Sequence, residues 1–353
     1  MINSHLKKIN RTSNYNFDRS NYLRLDRNER TIPFSKKTLE EFKKNISSDI
    51  IQSYPMEINT LKTLLSKKEK INKKYINIIP GTDTAIKYLF EIFSDKKKSI
   101  ASIYPTYGMI DVYSKVYKYK LVKVNLDKNK IDLEKFFKKK VSFIYIANPN
   151  QPSGKYIVKN NILKIIKKAK KKGIYVIIDE AYIDFSDFKS IALYVKKFEN
   201  LIVLKSLSKS FGVAGLRIGY MIANKKVNQI LNTVRPIYDL SSFSIKVAEY
   251  ILKNIKIANS FINEIKNVKE KLIKECKKRK LKFESTQTNF FYILLPGKKI
   301  KKIHNYMFKN KILIRSNYLG PFKNYSNSIR ITIGSEKQMV KFFTFFDKIY
   351  RRI

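Results

Sequence analysis

The sequence predicts an α/β protein, with a larger domain on a mostly parallel sheet and a smaller α+β domain after it. Three observations carry this. From about residue 75 to 240, short apolar runs alternate with amphipathic stretches, the pattern of strands and the helices that cover them. Each apolar run ends in a polar, turn-rich segment. After about residue 240 the texture changes to a long lysine-rich helical region, followed by further strand-like runs. The 353 residues suggest two domains, and 44% hydrophobic content with 23 Tyr and 23 Phe supplies a large core.

Taken in order, DTAIKYLFEIF (83–93) carries Ile86, Leu89, Phe90 and Phe93 at helical spacing and is expected to open on an Asp or Thr cap. SIASIY (99–104) and VSFIYIA (141–147) read as buried strands, the second ending in NPNQPSG. NILKIIKKAKKKG puts Ile162, Leu163, Ile165, Ile166 and Ala169 on one helix face, with Gly173 as the stop. IYVIID (174–179) and LIVLKSL (201–207) are further strands. FFYILL (290–295), KILIR (311–315) and SIRITIG (328–334) are strands of the smaller domain, and a final helix starts near residue 335. The expected division is an N-terminal segment 1–45 joining the small domain, a large domain 46–240 and a small domain 241–353.

Composition narrows the function classes. No apolar run reaches the roughly 18–20 residues of a membrane span, and the N-terminus lacks the apolar stretch of a secretory signal. The single cysteine, Cys276 in KECKKRK, cannot form an internal disulfide and reads as a stray thiol. The cytoplasm is the expected compartment. The net charge of +46 raises a nucleic-acid-binding reading. Against it, the lysines are spread along the whole chain, and runs such as Lys167, Lys168, Lys170, Lys171 and Lys172 suit the polar face and C-terminal end of a helix. Nucleic acid is therefore not the expected partner.

In a parallel sheet, ligands bind beyond the carboxyl ends of the strands. NPNQPSG, DEAY and SLSKS each begin where an apolar strand finishes, which puts them in one crevice. Gly81-Thr82-Asp83 opens a helix whose N–H groups can receive a phosphate. Alone this is weak, since a glycine before a helix is commonly an ordinary turn. Asp179 ends an apolar strand, a costly place for an unpartnered carboxylate, although it could be a helix cap. Lys209 follows Ser206 and Ser208 at the end of another strand, and Arg217 lies eight residues on, where a long cation needs a nearby anion. Together a phosphate site, a buried carboxylate, a strand-end lysine and an arginine are what pyridoxal 5'-phosphate requires.

Seven segments occur in the order and spacing of a known family: Tyr54-Pro55, PGTD (80–83), YPTYGM (104–109), NPNQPSG (148–154), DEAY (179–182), SLSKSFGVAGLRIGY (206–220) and IRITIG (329–334). From about residue 22 to the end, the chain resembles fold-type I pyridoxal-phosphate aminotransferases, most closely the histidinol-phosphate aminotransferase branch. The resemblance implies a seven-stranded-type large-domain sheet. It implies that Lys209 carries the cofactor as a Schiff base and then moves the proton at the substrate α-carbon. Asp179 would pair with the pyridine nitrogen, Tyr182 would hydrogen-bond the ring oxygen and Tyr107 would stack on the ring. Gly81, Thr82, Asp83, Ser206, Ser208 and Arg217 would hold the phosphate. Tyr54 would reach the cofactor of a neighbouring subunit, making the protein a homodimer. Arg330 and Arg315 would bind the anionic end of the substrate, with Asn28 beside it.

The implied reaction passes an amino group from a small-molecule donor, histidinol phosphate first among them, to 2-oxoglutarate. A threonine-phosphate decarboxylase-like enzyme of the same fold is the alternative, and a protein that kept the fold but lost the activity is disfavoured by the joint presence of Lys209, Asp179 and Arg217. The sequence also departs from the family pattern. Gln151 stands where the family has Asn, so either Gln151 or Asn150 could meet the ring oxygen. LDRNER (25–30) places Arg27 and Arg30 where the family has small or polar uncharged residues, and the second proline after Tyr54-Pro55 is missing.

Overall fold

In the computed structural model, residues 4–9, 17–55, 58–93, 99–127, 130–316 and 327–352 are described. Their strands are β1 (Leu23–Leu25), β2 (Ile76–Ile79), β3 (Ser99–Tyr104), β4 (Lys120–Asp127), β5 (Lys130–Ile131), β6 (Phe143–Ala147), β7 (Tyr175–Asp179), β8 (Leu201–Ser206), β9 (Gly219–Ile222), β10 (Lys282–Glu284), β11 (Phe290–Leu294), β12 (Ile312–Ser316) and β13 (Ser328–Thr332). They form two sheets, ordered β2-β9-β8-β7-β6-β3-β4-β5 and β1-β12-β13-β11-β10.

In the larger sheet, β4, β3, β6, β7 and β8 pair in parallel, while β9 runs antiparallel between β8 and β2. The two-residue β5 adds only a short antiparallel edge to these seven strands. The uninterrupted apolar runs follow from burial on both faces. Ile144, Ile146, Val176, Ile178, Leu201 and Val203 enter one core. Their strand neighbours Phe143, Tyr145, Ile177, Ile202 and Leu204 enter the core on the other side. Helix Lys159–Lys171 buries Ile162, Ile165, Ile166 and Ala169 and is followed by Gly173 at φ +63°. Lysines 167, 170, 171 and 172 are exposed, as that amphipathic pattern requires. Helix Thr82–Ile92 differs from expectation, because its cap is Gly81 with no side-chain bond. At φ +85° that position suits glycine, and it leaves the first N–H groups of the helix facing the crevice.

The smaller sheet gains its edge from the N-terminus, where β1 pairs in parallel with β12. Helix Lys256–Lys278 packs Phe261, Ile265, Val268, Leu272 and Cys276 against it. Cys276 is therefore a core residue, and burial pushes its thiol up to about 12. Phe34 and Phe42 of the N-terminal segment, with helix Ser242–Lys253, pack on the core of the larger sheet. Among the described residues no helix is long and apolar enough to cross a membrane.

Candidate active site

β2, β3, β6, β7 and β8 all point the same way, so the loops after them open on one side of the sheet. The cavity there is lined by residues from all five loops, including Thr82, Asp83, Tyr107, Gln151, Asp179, Tyr182, Ser206, Ser208 and Lys209. Its other wall comes from Arg27, Asn28 and Arg330, and Arg217 closes one end.

Asp179 sits at the last position of β7, 6% exposed. The Tyr145 hydroxyl donates to its Oδ2 at 2.8 Å and the Ala181 N–H to its Oδ1 at 3.0 Å. Burial raises its pKa, against the lowering effect of these donors and of Lys209. A cationic N–H partner in the cavity would reverse that balance. Tyr145 was not foreseen from sequence. The available signal was a phenol inside the apolar run FIYIA, since a buried Tyr hydroxyl needs a partner.

At the closed end, the side chain of Arg217 lies against Gly81. A Cβ on Gly81 would fall 2.7 Å from Arg217 Nη2, and one on Gly219 would fall 3.0 Å from Thr82 N. Both glycines are therefore needed to bring an arginine, itself at φ +54°, onto a helix N-terminus. Its Nη1 donates to the Ala214 carbonyl at 3.1 Å. Two positive ends meeting in this way form a cradle for an anion. Ser206 and Ser208 stand beside it, with Ser208 N–H donating to Ser206 Oγ at 3.0 Å.

Lys209 reaches across to the N-terminal loop. Its Nζ donates to the carbonyls of Arg27 at 3.3 Å and Asn28 at 3.2 Å, and lies 5.6 Å from the Tyr182 ring centroid. The Asn28 amide donates to the Tyr182 hydroxyl at 3.0 Å. The Asn28 backbone, left-handed at φ +56°, is held by Thr332 Oγ1 and Asn289 Nδ2. The Tyr107 hydroxyl lies 3.5 Å from Asp83 Oδ1, and burial pushes its pKa well up, so it stays protonated.

Arg330, on β13, is buried and donates from Nη2 to the Asp26 carbonyl at 2.9 Å. Its Nε is buried without a hydrogen-bond partner among the described residues, as are Gln151 Oε1 and Asn150 Nδ2. Because amide orientation is assigned, rotating Gln151 would present a donor at the same place. Native interiors leave few such atoms unsatisfied, and two of these, on Arg330 and Gln151, belong to residues that line the cavity, where a ligand could meet them.

Several expected residues stand elsewhere. Asn150 is buried behind the wall, its Oδ1 taken by Ser153. Arg315 lies opposite Arg330 in the β12–β13 register, outside the lining, and faces His304. Tyr54 is 70% exposed and stacks on Tyr238 with centroids 4.4 Å apart, away from the cavity of its own chain. The two extra arginines separate. Arg27 lines the cavity, but Arg30 is packed between Phe34 and Phe261, at 4.1 and 4.5 Å from the ring centroids, and donates to the Ile32 carbonyl. Arg30 is thus a packing residue and not part of the substrate mouth.

Behind the wall lies a buried ionic network that sequence reading did not find. Lys205, inside β8, pairs with Glu69 at 2.8 Å and stands 3.7 Å from Glu180, the neighbour of Asp179. Glu69 also accepts from Tyr220 and Lys68 at 2.7 Å each. Burial alone would raise Glu69, but Lys205 and Lys68 outweigh it and hold its pKa at about 2.

Comparison with known proteins agrees with this geometry. The sequence model of the family "Aminotransferase class I and II" matches residues 14–345. A curated histidinol-phosphate aminotransferase of Caldanaerobacter subterraneus subsp. tengcongensis is 33% identical over 309 residues, covering 84% of this chain and 85% of that protein. The structure of histidinol-phosphate aminotransferase from Sinorhizobium meliloti, in complex with pyridoxal-5'-phosphate, superimposes with a TM-score of 0.84 at 19% identity, covering 93% and 91% of the two chains. That of L-threonine-O-3-phosphate decarboxylase from Porphyromonas gingivalis gives 0.80 at 20% identity, covering 93% and 99%.

Proposed function

The chain belongs to the class I and II aminotransferases, and on that premise we propose that it is a pyridoxal-phosphate enzyme that moves an amino group between histidinol phosphate and 2-oxoglutarate. Its architecture is fold type I of the pyridoxal-phosphate enzymes. The observation that carries the reading is the convergence of Lys209, Asp179, Arg217 and Arg330 on one cavity. The residues fit the cofactor: an anion cradle at Arg217, a buried carboxylate at Asp179 and an amine at Lys209 stand where its phosphate, ring nitrogen and aldehyde each need a partner.

Pyridoxal phosphate supplies an electrophilic aldehyde and a ring that accepts the electron pair released at the substrate α-carbon. The chain does the rest. Thr82 and Asp83 offer backbone N–H groups, and Ser206, Ser208 and Arg217 offer side-chain donors, to hold the phosphate, while Gly81, whose own N–H goes to the Ile79 carbonyl, leaves the space the Arg217 side chain needs. Asp179, fixed by Tyr145 and Ala181, keeps the proton on the ring nitrogen. Tyr182, oriented by Asn28, donates to the ring oxygen. Gln151 is assigned the second contact there because it lines the cavity and Asn150 does not. Tyr107 would pack against the ring. Lys209 would supply the amine that holds the aldehyde and, once freed by the amino substrate, would serve as the base for the α-proton. Arg330 binds the anionic end of the substrate with the fork geometry suited to carboxylate or phosphate, and Arg315, opposite it in register, adds positive potential behind it.

A homodimer in the cytoplasm fits this reading. Tyr54 is exposed together with Ile51 at 74%, Ile237 at 86% and Tyr238 at 52%, an apolar face suited to a second copy. Tyr54 would then reach the phosphate of the partner's cofactor.

The test is turnover by the purified, cofactor-loaded protein. Histidinol phosphate with 2-oxoglutarate is expected to give glutamate. Release of carbon dioxide from phosphothreonine, with no glutamate formed, would overturn the substrate in favour of the decarboxylase reading.

A further inference from the structure

Arginine is rare in this chain, with 12 residues among 74 cationic ones. Lysine carries the surface charge. Three of those 12, Arg27, Arg217 and Arg330, nevertheless line the one cavity. Arginine differs from lysine in presenting a rigid fork that takes two oxygens of one anion, so its use where the chain otherwise prefers lysine points to anion recognition. The charges lining the cavity are Arg27, Lys209, Arg217 and Arg330 against Asp83 and Asp179. On the reading above, the cofactor engages Lys209, Arg217 and Asp179. Arg27 and Arg330 lie outside that set, as does the Asp83 carboxylate, so the rest of the lining carries two guanidinia against one carboxylate.

Both flank Asp26. Arg330 binds its carbonyl, and Arg27 Nε forms an ion pair with one oxygen of its carboxylate at 3.8 Å, while Arg19 takes the other oxygen at 2.6 Å. The position of Arg27 is fixed by the chain beside it. The carbonyls of Arg27 and Asn28 both accept from Lys209, and Asn28 is tied to Thr332 and Asn289. Its side chain is 41% exposed and can therefore meet an entering molecule at the mouth, whereas Arg330 is sealed at the base.

We infer that Arg27 is a specificity-determining residue that, together with Arg330, selects substrates carrying two negative charges, either as one phosphate ester or as two carboxylates. The inference rests on the aminotransferase reading and deepens it, because the two partners of that reaction then share a recognition rule. A phosphate monoester gathers its charge on one group, which two guanidinia can hold together, and glutamate spreads it over two ends, which they can hold one each. Arg27 thus explains how one cavity serves both halves of a transamination.

The experiment compares wild type, Arg27→Ala and Arg27→Lys as cofactor-loaded protein. In half-reactions, the ratio of kcat/KM for glutamate over alanine is expected to fall about 10- to 100-fold in Arg27→Ala, the loss of a charge-assisted contact. Arg27→Lys should recover part of it. The ratio for histidinol phosphate over histidinol should fall alike. Calorimetric binding of succinate against propionate gives the same comparison without turnover and tests Arg27 even in a protein with no activity. An unchanged ratio in both measurements, or equal losses on singly and doubly charged ligands, overturns the inference. Failure of the wild type on histidinol phosphate alone would sink the substrate proposal and leave the glutamate and succinate ratios to judge Arg27.

Discussion

One wall of the cavity is made by loops that leave neighbouring parallel strands within a few residues of Ile79, Tyr104, Ala147, Asp179 and Ser206. The other is made by a loop at residues 26–28, Asn289 and the strand bearing Arg330 and Thr332, brought together across more than 250 residues of chain. The first wall is rigid for a local reason: its groups stand at or just after the ends of strands whose inner residues are buried, and the Lys205–Glu69–Glu180 network is packed directly behind it. The second is held by hydrogen bonds to backbone, from Asn289 and Arg330 to the carbonyls of Asn28 and Asp26. The strand ends carry the groups proposed to hold the cofactor, and the hydrogen-bonded second wall carries the two arginines proposed to meet the substrate.

The largest expected effect breaks the first wall outright. On the proposed reading Lys209→Ala removes both the cofactor anchor and the proton carrier, and kcat should drop by about 10⁴. Borohydride is expected to trap the cofactor at position 209 in wild type and not in the variant. Substantial turnover in the variant would mean that another amine does this work.

The next effect tests what stands behind that wall. Lys205→Met leaves Glu69 and Glu180 buried with one cation fewer, at a cost of about 3 kcal/mol in unfolding free energy, the lower end for a broken buried pair because Lys68 stays. The same network sets an acid limb. Glu69 has its folded pKa lowered to about 2 from 4.5, so it stabilises the protein above its unfolded value and loses that contribution as pH falls from about 5 towards 2. Denaturant titrations should show this loss in wild type and a flatter profile in Glu69→Gln. A steep limb retained in the glutamine variant would move the effect to other carboxylates.

On the second wall, Arg330→Ala should lower kcat/KM about 10²-fold, largely through KM, while the cofactor band persists. A lost band instead would merge the two walls into one structural unit.

The same contrast explains what could be read from sequence. Lys209, Asp179 and Gly81 were legible because a continuous apolar run announces a buried strand, and whatever follows it must lie at the sheet end. Tyr145 was hidden inside such a run, since only the register Tyr145↔Ile177 brings it beside Asp179. Lys205 was hidden for the same reason, its partner Glu69 lying 136 residues away. Asn28 was marked as a substrate residue, yet its bond to Tyr182 depends on a left-handed turn that no local pattern announces. Strand pairing with Arg330 fixes the row of Arg315 but not the reach of its side chain, which stands outside the lining of the cavity.

The smallest expected effect separates two arginines that sequence treats alike. Arg30 and Arg27 are three residues apart in one charged segment. Arg30, however, lies between the Phe34 and Phe261 rings, joining the N-terminal segment to the long helix, and burial lowers its pKa against the pull of Glu264. Its work is planar stacking, which lysine reproduces poorly. Arg30→Lys should therefore cost about 1 kcal/mol of stability while the glutamate-to-alanine ratio stays at the wild-type value. Arg27→Lys should do the reverse, shifting the ratio at unchanged melting temperature. If both variants moved the ratio together, residues 26–30 would act as one element, and the second wall would need to be redrawn to include the helix beneath Arg30.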